Sequence, residues 1–250
     1  MADSTEPVAE TAVCPRCGKP LPLCVCDSIV PVENRIEVLI LQHPQEQDRL
    51  LGTARLTATQ LTNASLKIGL SWPSLAKILG RDVDHARWAV IYLGSSKVAN
   101  LDTDRDVVVI DRNGEMKQRQ DEILKGIEGV ILLDGTWSQA KALWWRNAWM
   151  LKCQRIILGP SQVSRYGKLR REPRRDGLST IEAAAMVLGR LEREPQIETA
   201  LITTFERMLG RYRNMQASMP ELLPAPRPKT DWRKKCGPQR RRSRKTGAKA

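Results

Sequence analysis

The stretch Val130-Ile-Leu-Leu-Asp-Gly-Thr-Trp137 constrains the fold more than any other part of the chain. Its four consecutive aliphatic residues lack the alternation of a half-exposed strand, and a helical pattern starts just after them. Val130 to Leu133 therefore reads as a strand buried on both faces. Asp134-Gly135 turns the chain, and the segment from Ser138 to Met150, which carries Trp144, Trp145 and Trp149, reads as the helix that follows. A buried strand that ends in a carboxylate and turns into a helix puts polar groups at the carboxyl edge of a sheet, where open α/β sheets bind ligands. The plainer use of Asp134 is as the cap of that helix.

The rest of the chain repeats this alternation. Strands are expected at Arg35 to Gln42, Trp88 to Leu93, Asp106 to Asp111 and Gln154 to Leu158. Helices are expected at Arg49 to Leu61, Trp72 to Leu79 (begun at Pro73), Gln118 to Ile127 and Ile197 to Met215. One more, running to about Leu191, opens on the capping-box match Ser179-Thr-Ile-Glu182. The pattern predicts an α/β domain over residues 31–218, with a mainly parallel sheet and helices on both faces. Neither a GxGxxG fingerprint nor a GxxxxGK loop occurs, so ordinary dinucleotide and P-loop sites lack support. Instead, polar or small turns stand at Leu133-Asp134-Gly135-Thr136, Leu158-Gly159-Pro160-Ser161 and Gly177-Leu178-Ser179-Thr180. Three such turns can converge on one ligand.

Residues 1–13 form a polar lead without pattern, and 14–30 hold Cys14, Cys17, Cys24 and Cys26. Four thiols in thirteen residues, the first pair followed by Gly18, have the composition of a closed tetrahedral zinc site. The second pair, Cys-x-Cys, is tighter than usual, and free or redox-active cysteines are the alternative. Cys153 sits in an apolar context and reads as core. The longest apolar runs are too short to span a membrane. The acidic N-terminus lacks a hydrophobic signal core, so a cytoplasmic protein is expected, with reduced or metal-bound cysteines.

Charge is unevenly placed. From Arg227 onward there are eleven basic residues and one acid, so residues 219–250, a proline-rich linker and basic tail, carry most of the net +13. A second concentration, Arg165, Lys168, Arg170, Arg171, Arg174 and Arg175, falls in the loop-like segment from Ser161 to Gly177. Both suit contact with nucleic-acid phosphates, a solvated solubility tail being the other use of the first. Seven of the eleven aromatics are Trp, a bias that serves stacking on bases or, more commonly, packing.

Asp134-Gly135-Thr136-Trp137 resembles the Asp-x-Thr-Trp signature of the DTW-domain proteins. The likeness extends in order through the four-cysteine cluster, the strand ending at His43-Pro44, Leu133 to Trp137, Tyr166 to Arg170, and Leu178 to Ala183. It covers roughly residues 14–215. One departure is Gly52-Thr53-Ala54-Arg55-Leu56, where many relatives have Asn-Thr-Gly-Arg-Leu. The resemblance implies a SPOUT-like, knotted fold and a tRNA-uridine aminocarboxypropyltransferase. Such an enzyme moves the 3-amino-3-carboxypropyl group of S-adenosylmethionine to N3 of a uridine, in bacterial relatives one in the tRNA variable loop, and leaves methylthioadenosine.

On that reading Asp134 accepts or orients the N3 proton, Thr136 holds the turn or donates a hydrogen bond, and Trp137 stacks on a base or fastens the helix. Leu133, Gly135, Leu158, Gly159, Pro160, Ser161, Leu178, Ser179 and Thr180 would line the co-substrate pocket. Arg55 or Arg170 would anchor its carboxylate. The basic loop at 165–175, the zinc module and the tail would form the tRNA footprint. The alternatives are the same transfer to ribosomal RNA, a knotted methyltransferase, or a non-catalytic zinc-ribbon RNA-binding protein. The assembly state, monomer or homodimer, is left open. Removing the residues after Pro228 should weaken tRNA affinity and flatten its salt dependence without changing which base is modified; an unchanged salt slope in filter binding would show that the tail does not hold phosphates.

Overall fold

Val38 and Ile40 pack into one buried cluster and Leu39 and Leu41 into another, so the first strand has apolar neighbours on both faces. The period of two between them is that of a strand inside a sheet covered on both sides. The computed structural model describes residues 12–91, 105–159, 164–167, 169 and 177–220. Its strands are β1 (Glu37–Gln42), β2 (Ala64–Ile68), β3 (Trp88–Ile91), β4 (Val107–Ile110), β5 (Gly129–Asp134) and β6 (Gln154–Leu158). Its helices are α1 (Ala54–Gln60), α2 (Leu75–Leu79), α3 (Gln120–Lys125), α4 (Trp137–Arg146), α5 (Thr180–Leu191) and α6 (Pro195–Ser218).

The strands form one six-stranded sheet in the order β2-β1-β5-β3-β6-β4. The first five pair in parallel, and β4 closes the edge antiparallel to β6. Residues of α1, α5 and α6 share the first cluster with Val130 and Leu132, while residues of α2 and the 3₁₀ turn after α4 share the second with Ile131. The mainly parallel α/β sheet with helices on both faces is thus present, and no described helix is long and apolar enough to cross a membrane.

Several elements differ from the sequence expectation for identifiable reasons. β2 was not expected, because Ala64-Ser-Leu-Lys-Ile68 has no continuous apolar run. As an edge strand it is only half-buried, and parallel pairing to β1 holds it. The helix expected from Arg49 begins only at Ala54, after a 3₁₀ turn at Pro44–Glu46 and a bent stretch through Gly52. The helix expected from Trp72 begins at Leu75, because the Ser74 hydroxyl accepts the Lys77 N–H as its cap. Similarly, the helix expected as far as Met150 stops at Arg146, and a 3₁₀ turn, Ala148–Lys152, follows. Asn147 makes that break: its buried amide donates to the Leu70 and Leu143 carbonyls and accepts the Trp72 N–H, joining two loops. The tryptophans divide accordingly, with Trp88 and Trp149 buried and Trp145 exposed.

Gly129 opens β5 directly opposite Trp88 on β3. A Cβ there would lie 2.6 Å from three atoms of the Trp88 indole, which is itself buried. Neither a packed ring nor a central strand moves cheaply. Gly129→Ala is therefore expected to destabilise the fold by about 1–3 kcal/mol, and an unchanged urea midpoint would refute the close packing described for this pair.

Candidate active site at the β1–β5 crevice

β1 hands the chain to β2 on one side, whereas β5 hands it to β6 on the other. The loops after these adjacent strands diverge and leave a crevice at their carboxyl ends, the topological switch point where open α/β sheets bind ligands. Gln42 and Asp134 are the register partners at that end. The Gln42 amide nitrogen donates to Asp134 Oδ2 at 2.8 Å, and the Thr180 hydroxyl donates to Oδ1. A carboxylate can only accept, so the amide must present its nitrogen to Asp134. That leaves Gln42 Oε1 buried with no hydrogen-bond partner among the described residues. Buried acceptors are rarely left so. The crevice therefore offers an orphan carbonyl beside a carboxylate held from two sides, a constellation suited to a donor-rich or cationic ligand group.

The two helices that start here are capped by other residues. Thr136, not Asp134, caps α4: its hydroxyl accepts the Gln139 N–H while Gln139 Oε1 accepts the Thr136 N–H at 2.6 Å. Gly135 lies against this box, since a Cβ would sit 2.9 Å from Gln139 Cβ. Trp137 is half-buried as the first residue of α4. Ser179 and Glu182 form the capping box expected for α5. Glu182 does more, accepting the Ser164 hydroxyl and the Arg165 N–H and thereby anchoring residues 164–165 on α5. The cap sets Thr180 in the first turn, where its hydroxyl reaches Asp134.

The cysteine segment docks against this crevice. Cys14, Cys17, Cys24 and Cys26 are buried, with all four Sγ atoms within 4.8 Å of one another and Cys17 Sγ to Cys24 Sγ at 3.7 Å. Sulfurs on one tetrahedral zinc stand about 3.8 Å apart, given Zn–S bonds near 2.3 Å, so the four residues could hold a metal ion. Hydrogen bonding, first from the Cys17 backbone, brings the Cys14 thiol down to about 6, whereas burial pushes Cys17 and Cys26 up. A cation among them would favour the thiolates throughout.

Lys19 follows two residues after Cys17, and its buried ammonium donates to the carbonyls of Leu50 at 2.6 Å and Gly52 at 2.7 Å. Burial lowers its pKa to about 8, partly offset by Cys17 and Asp134, while Arg55 lowers it further. Lys19 thus lies within electrostatic reach of both Asp134 and Arg55. The intervening carbonyl, Leu51, accepts the Tyr166 hydroxyl. The Tyr166 ring is buried edge-on against Phe205 at 5.0 Å. The 50–52 loop, pinned from both sides, leads into Thr53, whose hydroxyl accepts the Ile181 N–H at the start of α5. Lys19 and Gln42 were missed in the sequence because a lone Lys carries no periodic signal and Gln42 looked like an ordinary strand terminus, whereas Thr53 showed only as part of the Gly52 to Leu56 match.

Arg55 is half-buried against the cysteine segment; a Cβ on Gly18 would lie 2.8 Å from its guanidinium, and Gly18 also has φ +68. The left-handed backbone favours glycine there, while the end of the Arg55 side chain could shift aside. Among the described residues Arg55 makes no ion pair or side-chain hydrogen bond. The Asp134 and Gly177–Thr180 turns do meet, but the latter as the start of a helix and not as a strand end. Gly159 stands apart, since β3 separates β6 from β5. Gly159 packs on the two residues before β4, where a Cβ would strike the Arg105 carbonyl at 2.0 Å. Leu133, Leu158 and Leu178 are half-buried at their turns. Arg165 pairs with Glu206 at 3.1 Å on the surface. Pro160, Ser161, Lys168, Arg170, Arg171, Arg174 and Arg175 lie outside the described residues.

Three curated proteins resemble this chain. Each is called tRNA-uridine aminocarboxypropyltransferase 2: from Mus musculus at 29% identity over 196 residues, from Macaca fascicularis at 26% over 202, and from Drosophila melanogaster at 28% over 204. The alignments take in 76%, 79% and 80% of this chain and 59%, 62% and 74% of those proteins, so the chain spans about six-tenths of the mammalian relatives. No solved structure matches it. The model of the DTW domain matches residues 11–213, from the cysteine segment through the crevice to the last helix, and the chain belongs to that family.

Proposed function

We propose that this chain is a cytoplasmic tRNA-uridine aminocarboxypropyltransferase. It would move the 3-amino-3-carboxypropyl group of S-adenosylmethionine to N3 of a uridine in the tRNA variable loop. The observation that carries this reading is the Asp134 carboxylate, held by the Gln42 amide N–H at the switch point beside the unpartnered Gln42 carbonyl, in a chain whose relatives bear that enzyme's name. The knotted, SPOUT-like arrangement that the resemblance implies is part of this reading.

In the transfer, the uridine N3 forms a bond to the γ-carbon of the aminocarboxypropyl arm, and that carbon's bond to sulfur breaks. The sulfonium electron deficit is thereby relieved, and neutral methylthioadenosine leaves. The imide proton departs from N3, and Asp134 is the carboxylate that accepts or orients it. S-adenosylmethionine supplies the electrophilic carbon; the protein's task is to aim one of three such carbons. Arg55, with no acid partner among the described residues, would hold the carboxylate of the arm. Gln42 Oε1 and Asp134 would accept from its ammonium or from N3–H, and Thr180 keeps Asp134 in place. Zinc on the four cysteines would be structural, since four protein ligands leave no open position.

The test is to incubate the protein with unmodified tRNA and S-adenosylmethionine and analyse both nucleosides and co-product. Aminocarboxypropyl-uridine with methylthioadenosine is expected; S-adenosylhomocysteine with a methylated base would make it a methyltransferase, and modification of ribosomal RNA alone would move the substrate. Asp134→Ala should fold and lower kcat by about 10²–10⁴-fold, and retained turnover would remove Asp134 from the chemistry.

Metal analysis of the purified protein should give one zinc per chain, lost in Cys17→Ser together with a lower Tm and weaker activity, because Lys19 ties that segment to the 50–52 loop. Full activity in the metal-free protein would show that this tie does not serve the site.

A further inference from the structure

A second feature lies at the opposite end of the sheet from Asp134. Where β4 ends and β6 begins, a cavity of about 300 Å³ is lined by Arg112, Lys117, Lys152 and Arg155 against one carboxylate, Asp111. That carboxylate is turned inward: Oδ1 accepts the backbone N–H groups of Asn113 at 2.8 Å and Glu115 at 2.9 Å, closing the turn after β4. Among the described residues no ion pair involves Arg112, Lys117 or Lys152. Lys117 instead donates to the Gln154 side-chain carbonyl at 2.8 Å. The Arg155 guanidinium sits 5.2 Å from the centre of the Trp144 ring and donates to the Arg112 carbonyl. Neutral groups thus help to position Lys117 and Arg155, and Asp111, which also feels Lys117, is the one carboxylate on the lining. On the floor, burial raises the Cys153 thiol to about 12 and keeps it an uncharged, unreactive wall.

We infer that this cavity is a phosphate-binding subsite that grips the backbone of the tRNA substrate away from the target base. The inference rests on the proposed function for the identity of the RNA. Four cations against one carboxylate around an open hollow match a phosphate strand better than a neutral ligand. Its position suits a second grip. Strands of five or six residues separate it from the crevice, roughly 15–20 Å at strand rise. α4 spans the same interval, from the Thr136 cap beside Asp134 to the turn that carries Lys152. A folded RNA is larger than that interval, so one molecule can hold both ends. Backbone contacts of this kind fix register and orientation and carry no sequence information.

The experiment compares full-length wild type with the triple variant Arg112→Gln, Lys117→Gln, Lys152→Gln, sparing Arg155 because it packs on Trp144. tRNA affinity is measured across a range of KCl concentrations, and steady-state kinetics with tRNA and S-adenosylmethionine are run alongside. The expected result is a log–log salt slope lower by about 2, since each phosphate contact contributes about 0.7–0.9. The KM for tRNA should rise by about 10-fold while kcat at saturating tRNA is unchanged. An unchanged slope and KM would overturn the subsite and leave the patch as a solvated face or a site for an acidic protein. Should the triple variant melt early, Arg112→Glu alone, on an exposed turn, gives the same readout. If wild type binds tRNA but releases no methylthioadenosine, the proposed activity fails independently; a reduced slope in the variant would still establish the subsite.

Discussion

The arrangement around Asp134 is one that few other residues could sustain. Its carboxylate is buried at the end of the central strand, and burying a charge is costly unless hydrogen bonds satisfy it. Here β1 supplies Gln42 and α5 supplies Thr180, one to each oxygen, while the Asp134 main-chain carbonyl accepts the His43 N–H. Three segments far apart in sequence must therefore arrive together before the carboxylate is stable where it is. The parallel β1–β5 register sets the first of these contacts and the Ser179–Glu182 box the second. Each is a local structure with its own reason to form, and Asp134 is where they meet.

The cysteine segment enters the same arrangement from outside the sheet. Its buried side chains, together with Leu23 and Val25, belong to the cluster that includes Ile40 and Leu132, so it packs as part of the main core. A buried ammonium is as demanding as a buried carboxylate, and Lys19 meets that demand with two carbonyls of the 50–52 loop. The loop is flexible in principle, since it lies between a 3₁₀ turn and α1 and contains Gly52. Lys19 on one side and Tyr166 on the other reduce that freedom and deliver Thr53 to the start of α5. A metal at the cysteines would thus stiffen a chain of contacts ending at Thr180, which makes a structural ion relevant to a distant carboxylate without touching substrate.

How much of this was legible in the sequence depended on whether a residue's role was periodic or solitary. Val130 to Leu133 announced a central strand because burial on both faces requires an unbroken apolar run, and Ser179 to Glu182 announced a cap because that box has a fixed spacing. β2 was hidden because an edge strand needs no such run. Gln42 was hidden because the value of its carbonyl lies in what it fails to bond, which only three-dimensional packing reveals. The convergence of three turns was half right. A helix start meets Asp134 across the crevice, but Gly159 is diverted by the insertion of β3 between β5 and β6, and strand order is not written in local pattern. The plainer alternative for Asp134, the helix cap, misses by two residues, since Thr136 with Gln139 three positions later forms the reciprocal box.

That displacement of the cap bears on what Asp134 is for. Had it capped α4, its lone pairs would have been spent on backbone N–H groups and the carboxylate would need no further explanation. With Thr136 in that role, Asp134 receives two side-chain donors among the described residues and retains acceptor capacity in a crevice that also holds a carbonyl without a described partner. Lys19 lies within electrostatic reach of both Asp134 and Arg55, so an anionic and a cationic group share its neighbourhood. A ligand carrying both an ammonium and a carboxylate on one short arm is the kind of molecule that groups of both signs can orient. On the proposed activity, orientation is also what the transfer must achieve, since a sulfonium offers three carbons and only one is to be moved.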